Sequence, residues 1–273
     1  MKKQVTLFLV LVALAVSAAG LVGVAADVKM VGSTTVLPIA QLVAEELAGQ
    51  YEIEVSGGGS SVGVASLIDG TTDIADHSRP IKHSEYEKAV ENGVFPFSFQ
   101  IANDAVAVVV HPSNPVNDLS LQQLKKIYTG EITNWNEVGG KDLEITMVSR
   151  DSSSGTFETW EELVMDKEPV SSGALFTSSN ADVASLVSSN PNAIGYVGLA
   201  YVTPMLKAIT VEGKEATLSS AINYTYPIAR PLFMSTNGFP APGPVLDVIL
   251  FVLSDAGQRL VEEVGYAPIR QLP

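Results

Sequence analysis

The 273-residue sequence contains no cysteine, which excludes disulfide scaffolds, thiolate zinc sites and cysteine nucleophiles together. Histidine is nearly as scarce, with only His77, His83 and His111, and this weighs against a histidine-rich metal centre. Positive charge is also short: 16 Lys+Arg stand against 30 Asp+Glu, a formal net charge of −14. A duplex-binding surface has to be basic, so no nucleic acid is expected as a partner through bulk charge. Beyond residue 26 no apolar run approaches membrane-spanning length. Chemistry is left to hydroxyls, amides, carboxylates and one or two arginines. The composition itself, 46% hydrophobic and 17% charged, is that of a globular protein with room for one large domain or two modest ones.

The first 26 residues stand apart. Lys2 and Lys3 precede an uncharged, mostly apolar run from Val5 to Ala26 that closes on Val24-Ala25-Ala26. Small residues at the cleavage positions read as a secretory signal peptide cut after Ala26, while the length also suits an uncleaved signal anchor. Either reading places the rest of the chain outside the cytoplasm, whether periplasmic, cell-surface or secreted. No cysteine follows the run, so a lipidated cysteine is not the attachment.

From Asp27 onward short β-branched runs alternate with helical patterns, predicting an α/β protein with largely parallel sheets. Strands are expected at Val28–Val31, Ile53–Val55, Asp73–Ala75, Ala105–Val110, Ile145–Val148, Ile194–Val197 and Pro227–Met234. Helices are expected at Ile39–Leu47, Val62–Ile68, Ser84–Val90 and Ser120–Ile127, after Ser153-Ser154-Gly155, and at Val245–Leu253 and Ala256–Val264. Two α/β units wrapped into one chain fit the length better than a single sheet.

One feature recurs three times where a strand gives way to a helix: Gly32-Ser33-Thr34-Thr35, Gly57-Gly58-Gly59-Ser60-Ser61, and Arg150-Asp151-Ser152-Ser153-Ser154-Gly155-Thr156. Each turn offers free backbone N–H groups at a helix start, hydroxyl donors, and glycines that allow close approach. Each helix start carries roughly half a positive charge, so three that converge suit a small oxyanion without any lysine. Arg150 would supply a full charge on a planar fork. Taken singly, each turn is equally well an ordinary helix cap. Gly59-Ser60-Ser61-Val62-Gly63 also satisfies the G-x-S-x-G nucleophile-elbow pattern, which would make Ser61 the nucleophile of a secreted serine hydrolase. That order of residues needs a late histidine, and none follows His111.

With these turns, the sequence resembles the substrate-binding proteins of phosphate ABC transporters, the PstS family. The likeness also runs through Thr72-Asp73-Ile74-Ala75, Ser78-Arg79, Tyr128-Thr129-Gly130-Glu131-Ile132-Thr133-Asn134-Trp135 and Ala193-Ile194-Gly195-Tyr196. The resemblance implies a two-lobed periplasmic-binding-protein-like clamshell of type II, each lobe a mixed, mostly parallel sheet flanked by helices. Residues 27–110 and 227–273 would form one lobe and 111–226 the other. It implies no catalysis and no cofactor, only capture of inorganic phosphate in the cleft by a monomer. Delivery would be to a membrane-bound ABC permease and ATPase complex, and a sensory or scavenging binder without a permease is the alternative. Matched by motif, the phosphate-binding residues would be Thr34, Thr35, Ser60, Ser61, Ser78, Arg79, Arg150, Ser154, Gly155 and Thr156.

One departure bears on selectivity. Ser78 stands where the best-known branch of the family has an aspartate that accepts the phosphate proton and turns sulfate away. Asp76 and Asp151 are nearby candidates for that role, and another tetrahedral oxyanion is the alternative ligand. Trp135 and Trp160 are expected in packing, His77 as a packed or surface residue rather than a proton switch, and Asn223-Tyr224-Thr225 reads as a sequon.

Overall fold

The structure, a computed structural model, describes residues 26–272. The signal or anchor segment expected over 1–26 lies outside the described residues apart from Ala26. The chain first lays down Val28–Gly32 (β1), Leu37–Leu47 (α1), Ile53–Ser56 (β2), Ser60–Ile68 (α2), Ile74–His77 (β3), His83–Glu91 (α3) and Pro96–Ala105 (β4). It then builds a second unit from Ala107–Val110 (β5), Asp118–Leu119 (β6), Leu121–Thr129 (α4), Thr146–Arg150 (β7), Gly155–Leu163 (α5) and Leu175–Thr177 (β8). Asn180–Ser189 (α6), Ala193–Val197 (β9), Lys207–Val211 (β10) and Leu218–Ile222 (α7) complete that unit. Ala229–Asn237 (β11) returns to the first unit, followed by Pro244–Leu253 (α8) and Asp255–Val264 (α9).

Two mixed sheets result, in the orders β2-β1-β3-β11-β4 and β6-β10-β5-β9-β7-β8. In the first, β1 runs parallel to β2 and β3, and β11 is antiparallel to both β3 and β4. In the second, β7 is parallel to β8 and β9, while β5 is antiparallel to β9 and β10. The parallel strands are joined by helices, as a parallel pair requires, so helix N-termini gather at the strands' C-terminal ends.

Helix packing follows sequence spacing. Ile39, Ala40, Val43 and Leu47 form the buried stripe of α1 and pack with Val248, Ile249 and Val261 of α8 and α9 over the first sheet. The second unit has an aromatic centre. Trp160 stacks on Tyr196 at 4.1 Å between ring centroids, with Tyr128 edge-on and Trp135 buried in the same core. Both tryptophans are packing residues. At α4, Ser120 and Gln123 form a reciprocal capping box and Gly130 closes the helix in the left-handed conformation.

The run Ala105–Val110, expected as one strand of the first lobe, is divided between the sheets. Ala105 ends β4 in the first sheet and β5 lies in the second, with Val106 as the crossing. The return crossing sits directly beside it, because Val106 N–H donates to Ile228 C=O at 2.9 Å. The chain thus leaves the first sheet at Val106 and returns to it after Ile228. An apolar run reports burial but carries no mark of where the chain changes sheets.

Candidate functional site

The three turns lie where the two sheets face each other. Gly59 and Gly155 make that approach possible. A Cβ on Gly155 would collide with Ser60 Oγ and lie 2.7 Å from Ser78 Oγ; one on Gly59, at φ +102°, would collide with the Ser153 carbonyl. The α5 N-terminus is thus seated directly against the second turn, and Ser61 N–H donates to Ser153 C=O at 3.1 Å.

Beneath these turns is a buried polar cluster drawn from both units. Thr34 Oγ1 accepts from Arg150 Nη2 at 3.3 Å and from Asn180 Nδ2 at 3.2 Å. Thr35 Oγ1 lies 3.0 Å from Thr156 Oγ1 and accepts from Asn180 Nδ2 at 3.1 Å and Arg230 Nη2 at 3.2 Å. Arg230 Nη2 also reaches Thr156 Oγ1 at 3.0 Å, and Nη1 reaches Ser78 Oγ at 3.3 Å. Ser78 N–H donates to Ser60 Oγ at 3.0 Å. Ser154 caps α5, its Oγ accepting from Thr156 and Phe157 N–H at 3.2 Å each.

The two arginines differ in their partners. Arg230 is paired with the fully buried Asp104, Nε and Nη2 lying 2.9 and 2.8 Å from Oδ2. Among the described residues Arg150, 1% exposed, has no hydrogen-bonded carboxylate: Nε and Nη2 donate to the Thr177 and Ser178 carbonyls at 3.4 and 2.8 Å, and buried Nη1 has no partner. Burial, reinforced by the nearby Arg230 charge, lowers the Arg150 pKa from its ordinary value. A desolvated cation with a spare donor is stabilised by an anion at that donor. The N-termini of α1, α2, α5 and α6 border the same cluster and add to its positive potential.

Of the residues singled out by motif, the cluster brings together Thr34, Thr35, Ser60, Ser78, Arg150, Ser154, Gly155 and Thr156. Ser61 and Arg79, expected at the same site, have other partners. Ser61 Oγ donates to Glu158 Oε1 at 2.9 Å, and Arg79 is held by Glu85, the Pro80 carbonyl and Glu158. Two carboxylates are paired with Arg79, and none of the hydrogen bonds of its guanidinium is to a residue of the cluster. None of the hydrogen bonds of His77, His83 or His111 is to Ser61, so the elbow has no histidine base. His77 is bonded to the Arg79 carbonyl and Ser235, and burial pushes its pKa down to about 4, leaving it neutral at physiological pH.

Asp151 caps its own turn through Ser153 N–H at 2.9 Å. Asp76 is buried with one oxygen unpartnered and shows no hydrogen bond to the cluster. Reading by motif missed Arg230 and Asn180. An arginine inside the apolar run Pro227–Met234 was the available signal for the first, since a buried charge needs a partner. Asn180 offered no signal beyond its place among Ser178 and Ser179.

The chain is similar to proteins already known. Residues 18–256 match the model of the PBP superfamily domain. Phosphate-binding protein PstS of Staphylococcus epidermidis (strain RP62A) is 35% identical over 254 residues, covering 86% of this chain and 76% of the relative. That of Staphylococcus aureus (strain USA300) is 35% identical over 259 residues, covering 88% and 77%. Among solved structures, a protein described as a phosphate ABC transporter substrate-binding protein from Clostridium perfringens, with bound phosphate, superposes with a TM-score of 0.83. It is 34% identical and covers 89% of this chain and 99% of its own. An ABC-type phosphate transport receptor from Vibrio cholerae gives a TM-score of 0.73 at 34% identity, covering 88% and 99%.

Proposed function

The chain belongs to the PstS family of phosphate-binding proteins, and from that premise we propose that the buried cluster between its sheets is where inorganic phosphate binds. It is the phosphate-binding component of a phosphate ABC transporter, a receptor and not an enzyme. The observation that carries the site assignment is Arg150 Nη1: a buried guanidinium donor without a partner, among hydroxyls contributed by both sheets. Thr34, Thr35, Ser60, Ser78, Thr156 and the α5 N-terminus at Ser154-Gly155 surround the anion with donors, with Arg150 and Arg230 as charges and Asn180 orienting the two threonines.

In this reading residues 27–105 and 229–272 form one lobe and 107–228 the other. They close on phosphate about the adjoining crossings Val106 and Ile228. Closure removes water and strengthens each charge-assisted bond. Micromolar affinity requires about 8 kcal/mol. Hydrogen bonds to a charged group contribute about 1.5–3 kcal/mol each, so the donors surrounding the site exceed that requirement and leave a surplus against desolvation and ordering. The permease and ATPase receive the loaded monomer outside the cytoplasm, the N-terminal segment acting as export signal or anchor. No helix among the described residues is long and apolar enough to cross a membrane.

Calorimetric titration of residues 27–273 against phosphate, arsenate, sulfate and molybdate tests the ligand. Saturable 1:1 phosphate binding, with melting temperature rising with ln[phosphate], is the expected outcome. A flat response to phosphate with a rise on another oxyanion would replace the ligand.

A further inference from the structure

Ser61 and Arg79 meet a carboxylate from the opposite unit, Glu158. Glu158, on α5, is 9% exposed at its side chain and reaches across to three groups of the first unit. Its Oε1 accepts from Ser61 Oγ at 2.9 Å. Its Oε2 is paired with Arg79 Nε and with Lys82 Nζ, the latter at 3.1 Å. Arg79 is itself fixed within its own unit: Glu85 takes Nη1 at 2.8 Å and Nη2 at 2.6 Å, and Nη2 also donates to Ser61 Oγ at 3.1 Å. Glu85 is anchored in turn by Lys82 N–H at 2.9 Å.

The first unit therefore presents a prearranged receptor for one further carboxylate, and the second unit supplies it. None of the Glu158 contacts is to Arg150, Arg230 or the threonines around them. Arg79, Lys82 and Glu158 line a 610 Å³ groove that also reaches Arg230, and Lys82 is about half exposed, so water and salt have access to them.

We propose that Glu158 is the positioning residue of an interlobe latch, formed with Arg79, Ser61 and Lys82, that holds the closed state and sets how slowly phosphate leaves. This rests on the reading of phosphate capture by closure. A contact made only in the closed state raises the closed population, and apparent affinity follows that population without any contact to the ligand. Arg79 has to be bound to Glu85 beforehand, since an uncompensated guanidinium at the rim would compete for the anion itself. Salt screens the exposed Lys82 arm, so the latch weakens as ionic strength rises.

The test compares phosphate affinity and stopped-flow dissociation rates in the native protein, Glu158→Gln, Arg79→Ala and the double variant. The latch requires binding about tenfold weaker in Glu158→Gln, equivalent to about 1.4 kcal/mol, carried by faster dissociation. The order of preference among phosphate, arsenate and sulfate should not change. It also requires the losses to be less than additive in the double variant, because both substitutions remove the shared Glu158–Arg79 contact. Unchanged affinity in Glu158→Gln overturns the latch. Additive losses overturn it too, and would place Arg79 on the anion. Failure of the phosphate reading looks different, since the native protein would then not bind phosphate at all. X-ray scattering then decides: a larger radius of gyration in Glu158→Gln than in the native protein supports the latch, and equal radii overturn it.

Discussion

Two arginine clusters bridge the facing units, and they differ in how much of their charge is already neutralised. Arg79 lies between Glu85 and Glu158 with its guanidinium taken up by carboxylates. Arg230 has one carboxylate, Asp104. Arg150 has none hydrogen-bonded to it and keeps a buried donor unpartnered. On the proposed reading, a tetrahedral anion is drawn to the end of this series where positive charge is left over, and the carboxylate-saturated end fastens protein to protein instead. Residue type alone does not separate binder from fastener; the carboxylates within reach do.

The largest expected effect falls on the middle of that series. Arg230→Ala leaves Asp104 fully buried, with the Leu199 N–H at 2.9 Å as its remaining hydrogen bond. Breaking a buried pair from one side costs about 3–5 kcal/mol, so denaturant midpoints should fall steeply and phosphate binding should be lost. Adding Asp104→Asn should restore much of the stability but not the binding. Recovery of both together would show that Arg230 acts only through the fold, and would break the ranking.

Arg150→Ala comes next. Losing a buried charge from an anion site costs about 2–5 kcal/mol of binding, so calorimetry should show phosphate affinity at least about thirtyfold weaker. Because no carboxylate partner is orphaned, the ligand-free melting temperature should fall less than in Arg230→Ala. Equal falls in both variants would mean that the Arg150 charge is compensated within the protein after all.

The same distinction explains what could be read from sequence. The three turns were legible because strand, glycine bend and helix start are local, and each falls at the expected junction. Thr34, Thr35, Ser60, Arg150 and Thr156 converge as anticipated because parallel strands deliver their helix N-termini to one edge. Arg230 was hidden because Asp104 is 126 residues away in sequence. Glu158 was hidden because an acidic residue in the first turn of a helix reads as an ordinary solvated charge. The motif points Arg79 to the anion, and the sequence gives no sign that Glu85 and Glu158 are its ion-pair partners. In the fold, β8 is three partly exposed residues and α6 is interrupted by serines, so neither carries a strong period. The break at Val106 sits inside uninterrupted apolar sequence, where periodicity has nothing to report.

Asp76 gives the smallest and most discriminating effect, since it is a buried carboxylate near the site with no hydrogen-bonded arginine at all. Burial pushes its pKa well above the usual carboxylate value, 3.8. A carboxyl raised in the folded state contributes stability that is fully present below the unfolded pKa and lost as pH rises through the folded one. Asp76→Asn removes that loss: the ligand-free melting temperature should rise by a few degrees at pH 8 and change little at pH 4. Phosphate affinity and the preference over sulfate should be unchanged, because the Asp76 carboxyl has no bond to the cluster. If Asp76→Asn instead admits sulfate at neutral pH, Asp76 reads the phosphate proton from a position where its spare oxygen faces the anion. The site would then discriminate by a proton acceptor as well as by the surplus charge on Arg150.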